Sequence, residues 1–297
     1  MLLSFLEALA PVSLLVFLGF LLAKRTRWLD SEGLGLLASN LALPALIFIS
    51  ITEMQSPASD LFYLMVVTAL CIAIGAVLVT LSCLAKGVSP RFYVSTLVNP
   101  NTGNLGIPIA YALLGPEALA PAIIISTTVM LSHFTLGTAA MSGHYQWHKL
   151  FKNAPLLALL LGAVCVALQL NLPGPLTQGL ELLSGVAIPI MLLLLGRSLA
   201  DIHFGDKQQL INLSLLSIFR PVSGFLIACV VVHFADLDAT STLVLMLQMS
   251  MPVAVMSYIL TVKFNGPKQQ IAALTLTTLP TSLIVLWFIY QFRFSLV

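Results

Sequence analysis

Apolar residues along the chain gather into ten long runs, separated by short stretches where charge, glycine and proline collect. The runs are 3–23, 33–52, 61–85, 91–115, 117–142, 151–171, 174–199, 208–234, 239–263 and 268–292. Each has close to the ~20 apolar residues that a helix needs to cross the hydrocarbon core of a bilayer. They are segments one to ten, and each is predicted to be a transmembrane helix. The connections between them are too short to fold separately. The expected fold class is an all-α polytopic membrane protein with one membrane domain over residues 1–297.

Composition removes the soluble alternatives. Of 297 residues, 13 are Lys or Arg and 11 are Asp or Glu, 59% are apolar, and mean hydropathy is +1.04. A soluble domain carries roughly a quarter charged residues, so 8% cannot cover a water-facing surface. The net charge of +2 and the lack of aromatic residues interleaved with Lys and Arg exclude a nucleic-acid partner. Cys71, Cys83, Cys165 and Cys229 lie in apolar runs without paired spacing and read as small buried hydrophobes. No Lys or Arg precedes the first run, so it is not read as a cleavable signal.

The cations set an expected orientation. With the amino terminus outside, Lys24, Arg25, Arg27, Lys86, Arg91, Lys149, Lys152, Arg197, Lys207, Lys263 and Lys268 all fall on the inner side, as the positive-inside rule requires. Glu53, Asp60, Glu117, Asp236 and Asp238 fall outside, and both termini are then outside. The expected location is the inner (plasma) membrane, multi-pass.

The two halves also resemble each other. Ala10-Pro11 matches Ala154-Pro155 at an offset of 144 residues, Pro44 matches Pro189 at 145, and Ile107-Pro108-Ile109-Ala110 matches Met251-Pro252-Val253-Ala254 at 144. Five segments per copy is an odd number, so the second copy enters the membrane inverted. Repeat one is about 1–142 and repeat two about 151–297. Inverted repeats are a transporter architecture.

Segment four cannot be one helix. Pro100 and Pro108 each remove a backbone donor, Gly103 and Gly106 loosen the chain, and Asn99, Asn101, Thr102 and Asn104 offer side-chain donors and acceptors. Irregular backbone at this depth must be buried in protein or line a watered cavity. Segment nine carries a milder interruption, Gln248-Met249-Ser250-Met251-Pro252. The second half of each segment starts with free N–H groups and about half a positive charge. Two such starts meeting at a polar pocket would attract a carboxylate. The expected substrate-binding residues are Asn99, Pro100, Asn101, Thr102, Asn104, Pro108, Gln248 and Pro252, with Asn40 facing them from segment two.

The string Asn99-Pro100-Asn101-Thr102-Gly103-Asn104-Leu105-Gly106-Ile107-Pro108 resembles the crossover motif of the auxin efflux carrier family. That family includes plant PIN-type carriers and bacterial relatives assigned as malate or malonate permeases. The resemblance extends over the whole chain in segment count, repeat and the segment-nine proline. It implies a fold similar to bile-acid/sodium symporters, with a scaffold of segments one, two, six and seven and a moving body of three to five and eight to ten. It also implies a homodimer, elevator-type alternating access, and a small carboxylate substrate such as malate, malonate or an auxin-like acid. The long cytosolic loop of many plant members is missing, since residues 143–150 are the whole connection.

Few ionisable groups are deep in the segments, where they are costly and so point to function. Arg220, followed by Pro221, lies midway along segment eight. It could neutralise the carboxy-terminal ends of the first half-helices, pair with a substrate carboxylate, or cap carbonyls freed near Pro221. In the related sodium-coupled fold cations sit beside the crossing, so a fixed arginine could replace a bound ion. His133 is a proton-coupling candidate or a hydrogen-bonded core histidine. Glu7 and Glu181 lie near the outer face and are expected to snorkel to it. His144 and His148 have metal-like spacing without a third ligand, so neither a metal nor a cofactor is expected. No HExxH, no GxSxG and no pair of deep acids supports an enzyme. A receptor or channel on the same fold is the alternative to a carrier.

Overall fold

Prolines and capping side chains decide where these helices begin and end. A computed structural model describes residues 2–30, 32–53, 58–142, 153–170, 172–200 and 207–293, and every named element among them is helical. His144 and His148 lie outside the described residues. Among the described residues, seven helices are long and apolar enough to cross a membrane: Leu2–Arg25, Gly33–Thr52, Ser59–Ala85, Pro116–Ser142, Gly174–Ala200, Leu213–Phe234 and Lys268–Phe292. Three further apolar helices are shorter: Thr102–Leu114, Ala154–Ala167 and Ala239–Met249.

Each short helix has a local cause. In segment six the Asn153 side chain accepts from Leu156 N at 3.0 Å, and Pro155 sits in the first turn, where its missing N–H removes no bond. At the other end Gln169 turns left-handed (φ 51°), and Leu170 N donates to Cys165 O at 2.9 Å. The helix is therefore Ala154–Ala167, shorter than the 151–171 run. Segment nine starts on Asp238, whose side chain accepts from Ser241 N at 2.9 Å. Segments four and nine are short because both are interrupted.

Segment one packs on segment seven and segment two on segment six; three packs on five, eight on ten, and three on eight. Glycines allow two of these crossings. A β-carbon on Gly19 would fall on the Leu193 carbonyl, and one on Gly196 on the Val16 carbonyl. Where segment six meets segment two, a β-carbon on Gly162 would press on Ile51 and lie 3.6 Å from Phe48 O. Small residues at such crossings let helix backbones approach closely. Gly196→Val is therefore expected to destabilise the protein by roughly 3 kcal/mol, the upper range for overpacking, read as a lost monodisperse peak in detergent. Gly179→Val, with open space around its α-carbon, should leave that peak unchanged.

Segment five is the most enclosed of the seven long helices. Ala122, Ile123, Ile124 and Ile125 are all fully buried, as expected of a helix that is apolar all round. The opposite extreme is Gly174–Gly185, which has no buried residue and leaves Leu182 79% exposed.

Candidate functional site

Both interruptions follow from proline chemistry, and the fold brings them together. Helix Tyr93–Val98 ends at Asn99, which is extended (φ −92°, ψ 108°) because a residue before proline is driven out of the helical region. The chain restarts after Asn101 as a wide π-helical turn, Thr102–Gly106, continuing as the helix Ile107–Leu114. In segment nine the helix Ala239–Met249 gives way at Ser250, and a new one runs over Val255–Lys263 after an extended Ala254 (φ −70°, ψ 139°). Pro100 and Val253 face each other as an isolated antiparallel bridge, with Asn101 N donating to Pro252 O at 2.9 Å.

Pro252 thus stands in the bridge, bonded by Asn101 N, not at a place equivalent to Pro108. Pro108 lies in the first turn of Ile107–Leu114, where proline fits without breaking the helix. The proline pair at offset 144 is not a pair of matching breaks. The two first halves end at Val98 and Met249, 151 residues apart.

Arg220 is 1% exposed, and its guanidinium reaches the ends of both first halves. Nη1 donates to Met249 O at 2.7 Å and Nη2 to Val98 O at 3.3 Å. These are carbonyls that a terminating helix leaves without an internal partner. Gly224, one turn on, permits the approach: a β-carbon there would fall on Met249 O and crowd Arg220 Nη1. Arg220 and Ser223 line a cavity of about 10 Å³ with Cys71 and Gly75.

The polar side chains at the crossing divide into those the fold uses and those it leaves available. Asn99 is enclosed: its Oδ1 accepts from Ser132 Oγ at 2.9 Å, and its Nδ2 lies 3.5 Å from His133 Nδ1. Gln248 is fully buried; its Nε2 donates to Ala122 O at 3.4 Å, and its amide packs on the open face of Gly106. Among the described residues, the buried atoms Gln248 Oε1, His133 Nε2, Arg220 Nε and Ser95 Oγ have no hydrogen-bond partner. Asn101, 6% exposed, makes no side-chain bond to cap the helix that follows it. Thr102 is buried and Asn104 is exposed on the same turn. Asn40 is exposed on its own π-helical turn, Ala38–Ala42, and joins none of the hydrogen bonds at the crossing. Glu7 and Glu181 are both exposed.

Segment ten supplies partners that sequence reading missed. Thr278 Oγ1 accepts from Val253 N at 3.1 Å, and Ser282 Oγ donates to Ser250 O at 2.7 Å. Their signal was two hydroxyls four residues apart, flanking Pro280, in the segment after a break. Beside the crossing lies an apolar groove of about 440 Å³, lined by Val12 and Val16 of segment one, Leu195 of seven, Leu105 and Ile109 of four, and Ser282. A second cavity of about 450 Å³ is bordered by Glu53, Glu117 and Asp238. Among the described residues no group of three His, Cys, Asp or Glu could hold a metal ion.

Comparison with known proteins places this geometry. An uncharacterized transporter of Methanocaldococcus jannaschii is 27% identical over 197 residues, spanning 63% of this chain and 63% of that relative. The family model described as membrane transport protein matches residues 4–144 and 137–290. With nearly the whole chain matched, the protein belongs to the membrane transport protein family, the auxin efflux carrier-like family of its Asn-Pro-Asn-Thr motif.

Proposed function

We propose that this protein is a secondary transporter of small organic anions, which it binds where segments four and nine cross. The observation that carries the reading is the joined pair of breaks. Extended chain at Pro100 and Val253 is held together, the first halves end on Arg220, and the second halves begin beside it. Carbonyl ends are thereby neutralised, while the N–H groups that open Thr102–Leu114 and Val255–Lys263 are left to face an anion. Asn101 and Thr102 supply donors from the first turn, and Asn104 an exposed amide.

The ten segments act as ten membrane crossings in two inverted repeats. The packing pattern supports this, because exchanging one with six, two with seven, three with eight and five with ten maps the five pairings described above onto one another. The glycine crossings agree: Gly19 to Gly162 is 143 residues and Phe48 to Leu193 is 145. Segments three to five and eight to ten move as one body against a scaffold of one, two, six and seven. The protein works as a homodimer in the plasma membrane with both termini outside, in line with the positions of its lysines and arginines.

Reconstitution into proteoliposomes tests the reading. Labelled malate, malonate or an aromatic acid should show saturable uptake that unlabelled acid competes away. The rate should be the same with and without a sodium gradient, since a fixed guanidinium stands beside the crossing. Absence of saturable flux for every acid, from monodisperse protein, would overturn it, and large unitary conductance would make it a channel.

A further inference from the structure

Buried hydroxyls in this protein mostly return their proton to their own helix. Thr68, Thr128, Ser250, Thr261, Thr275 and Thr278 all donate to the carbonyl four residues back, the ordinary arrangement for such residues inside helices. Ser257 is an exception, reaching Ser95 O in the helix before the first break at 3.4 Å, and Ser132 and Ser282 are a matched pair of exceptions. Each reaches out of its segment to the residue at which a neighbouring helix breaks: Ser132 to Asn99 Oδ1 at 2.9 Å, Ser282 to Ser250 O at 2.7 Å.

The two contacts correspond in place, Ser132 to a side-chain oxygen and Ser282 to a backbone carbonyl. Asn99 directly follows Val98 and Ser250 directly follows Met249, the two residues whose carbonyls Arg220 takes. Asn99 and Ser250 are 151 residues apart, as are Val98 and Met249, and Ser132 and Ser282 are 150 apart. Each first half-helix therefore ends on one guanidinium nitrogen and one serine hydroxyl. Both serines are buried, Ser132 at 7% and Ser282 at 1% exposure, so water does not compete for either bond.

We propose that Ser132 and Ser282 are a matched pair of positioning residues, one per broken segment, that fix where each second half-helix begins and so the aim of its N–H groups at the anion. The proposal rests on the anion site read above. Neither serine touches substrate; each acts through the residue it holds. A neutral hydrogen bond of this kind contributes ~1 kcal/mol, about a fivefold change in affinity.

The test uses the full chain with Ser132→Ala, Ser282→Ala and the two threonine variants. In detergent, hydrogen–deuterium exchange at residues 99–104 should rise about fivefold in S132A with 250–256 unchanged, and S282A should give the reverse. In proteoliposomes each alanine variant should raise KM about fivefold with Vmax per folded protein within about twofold, and threonine should return KM toward wild type. Exchange that rises throughout the protein or at neither segment, a loss confined to Vmax, or threonine no better than alanine would each overturn the pairing. If wild-type protein carries no acid at all, the transport reading fails instead, and the exchange measurement still decides whether the serines hold the breaks.

Discussion

Replacing Arg220 with alanine is expected to reduce uptake by roughly a hundredfold or more, and Arg220→Lys to retain an intermediate rate. The guanidinium makes two charge-assisted bonds, to Met249 O at 2.7 Å and Val98 O at 3.3 Å. Bonds to a charged group contribute ~1.5–3 kcal/mol each, so losing both costs more than the ~2.7 kcal/mol that corresponds to a hundredfold. Alanine also leaves two buried carbonyl ends of like partial charge close together. Two half-charges of about −0.5 are matched by one arginine, and no other cation of the described segments lies at that depth. Lysine keeps the charge but lacks the planar fork, so it can serve one carbonyl well and the other poorly. Uptake per folded protein, measured for all three side chains, checks this. Equal failure of alanine and lysine, with both proteins folded, would mean that the guanidinium binds substrate directly.

Asn101→Ala is expected to lower uptake by roughly 10- to 100-fold while leaving the amount of folded protein near wild type. The fold uses the backbone of Asn101: its N–H bonds Pro252 O at 2.9 Å, and its carbonyl accepts from Gly106 N at 3.0 Å. Its side chain forms no cap on the following turn, so truncation removes no bond that holds the structure. One hydrogen bond to a charged ligand, at ~1.5–3 kcal/mol, accounts for the expected range. Asn99→Ala is the contrast. Asn99 is committed to Ser132 and His133, and its loss should appear as reduced folded protein. If Asn101→Ala reduces folded protein as much as Asn99→Ala does, Asn101 is a structural residue.

What could be read from the chain alone was what local chemistry dictates. Pro100 amid asparagines and glycines, and Pro252 after Gln248 and Ser250, mark breaks, whereas Pro11, Pro221 and Pro280 lie inside continuous helices; an arginine midway along segment eight must meet buried acceptors. Which acceptors these are depends on tertiary register, and here reading the chain fell short. Pro108 looked like a second break beside Pro100, yet it sits at the one helical position that tolerates proline. Asn99 and Asn101 are chemically alike, two residues apart and both buried, and only the fold shows the first committed to Ser132 and His133 and the second without a cap bond. Ser132 and Ser282 could not be told from the many hydroxyls that bond their own helix. Asn40 is on an irregular turn of segment two, but it takes no part in holding the crossing.

The partners of Arg220 have an electrical consequence. The carbonyls of segments four and nine that hold it are poles of neutral peptide dipoles, so the guanidinium's positive charge would travel with the proposed moving body. The unloaded carrier would then return carrying one positive charge, and the carrier loaded with a monovalent anion would cross nearly neutral. For a monovalent anion crossing without a companion cation, an inside-negative potential of about 100 mV favours the outward direction by ~2.3 kcal/mol. Over a full cycle one negative charge would leave the cell, so a resting potential would bias such a carrier toward export.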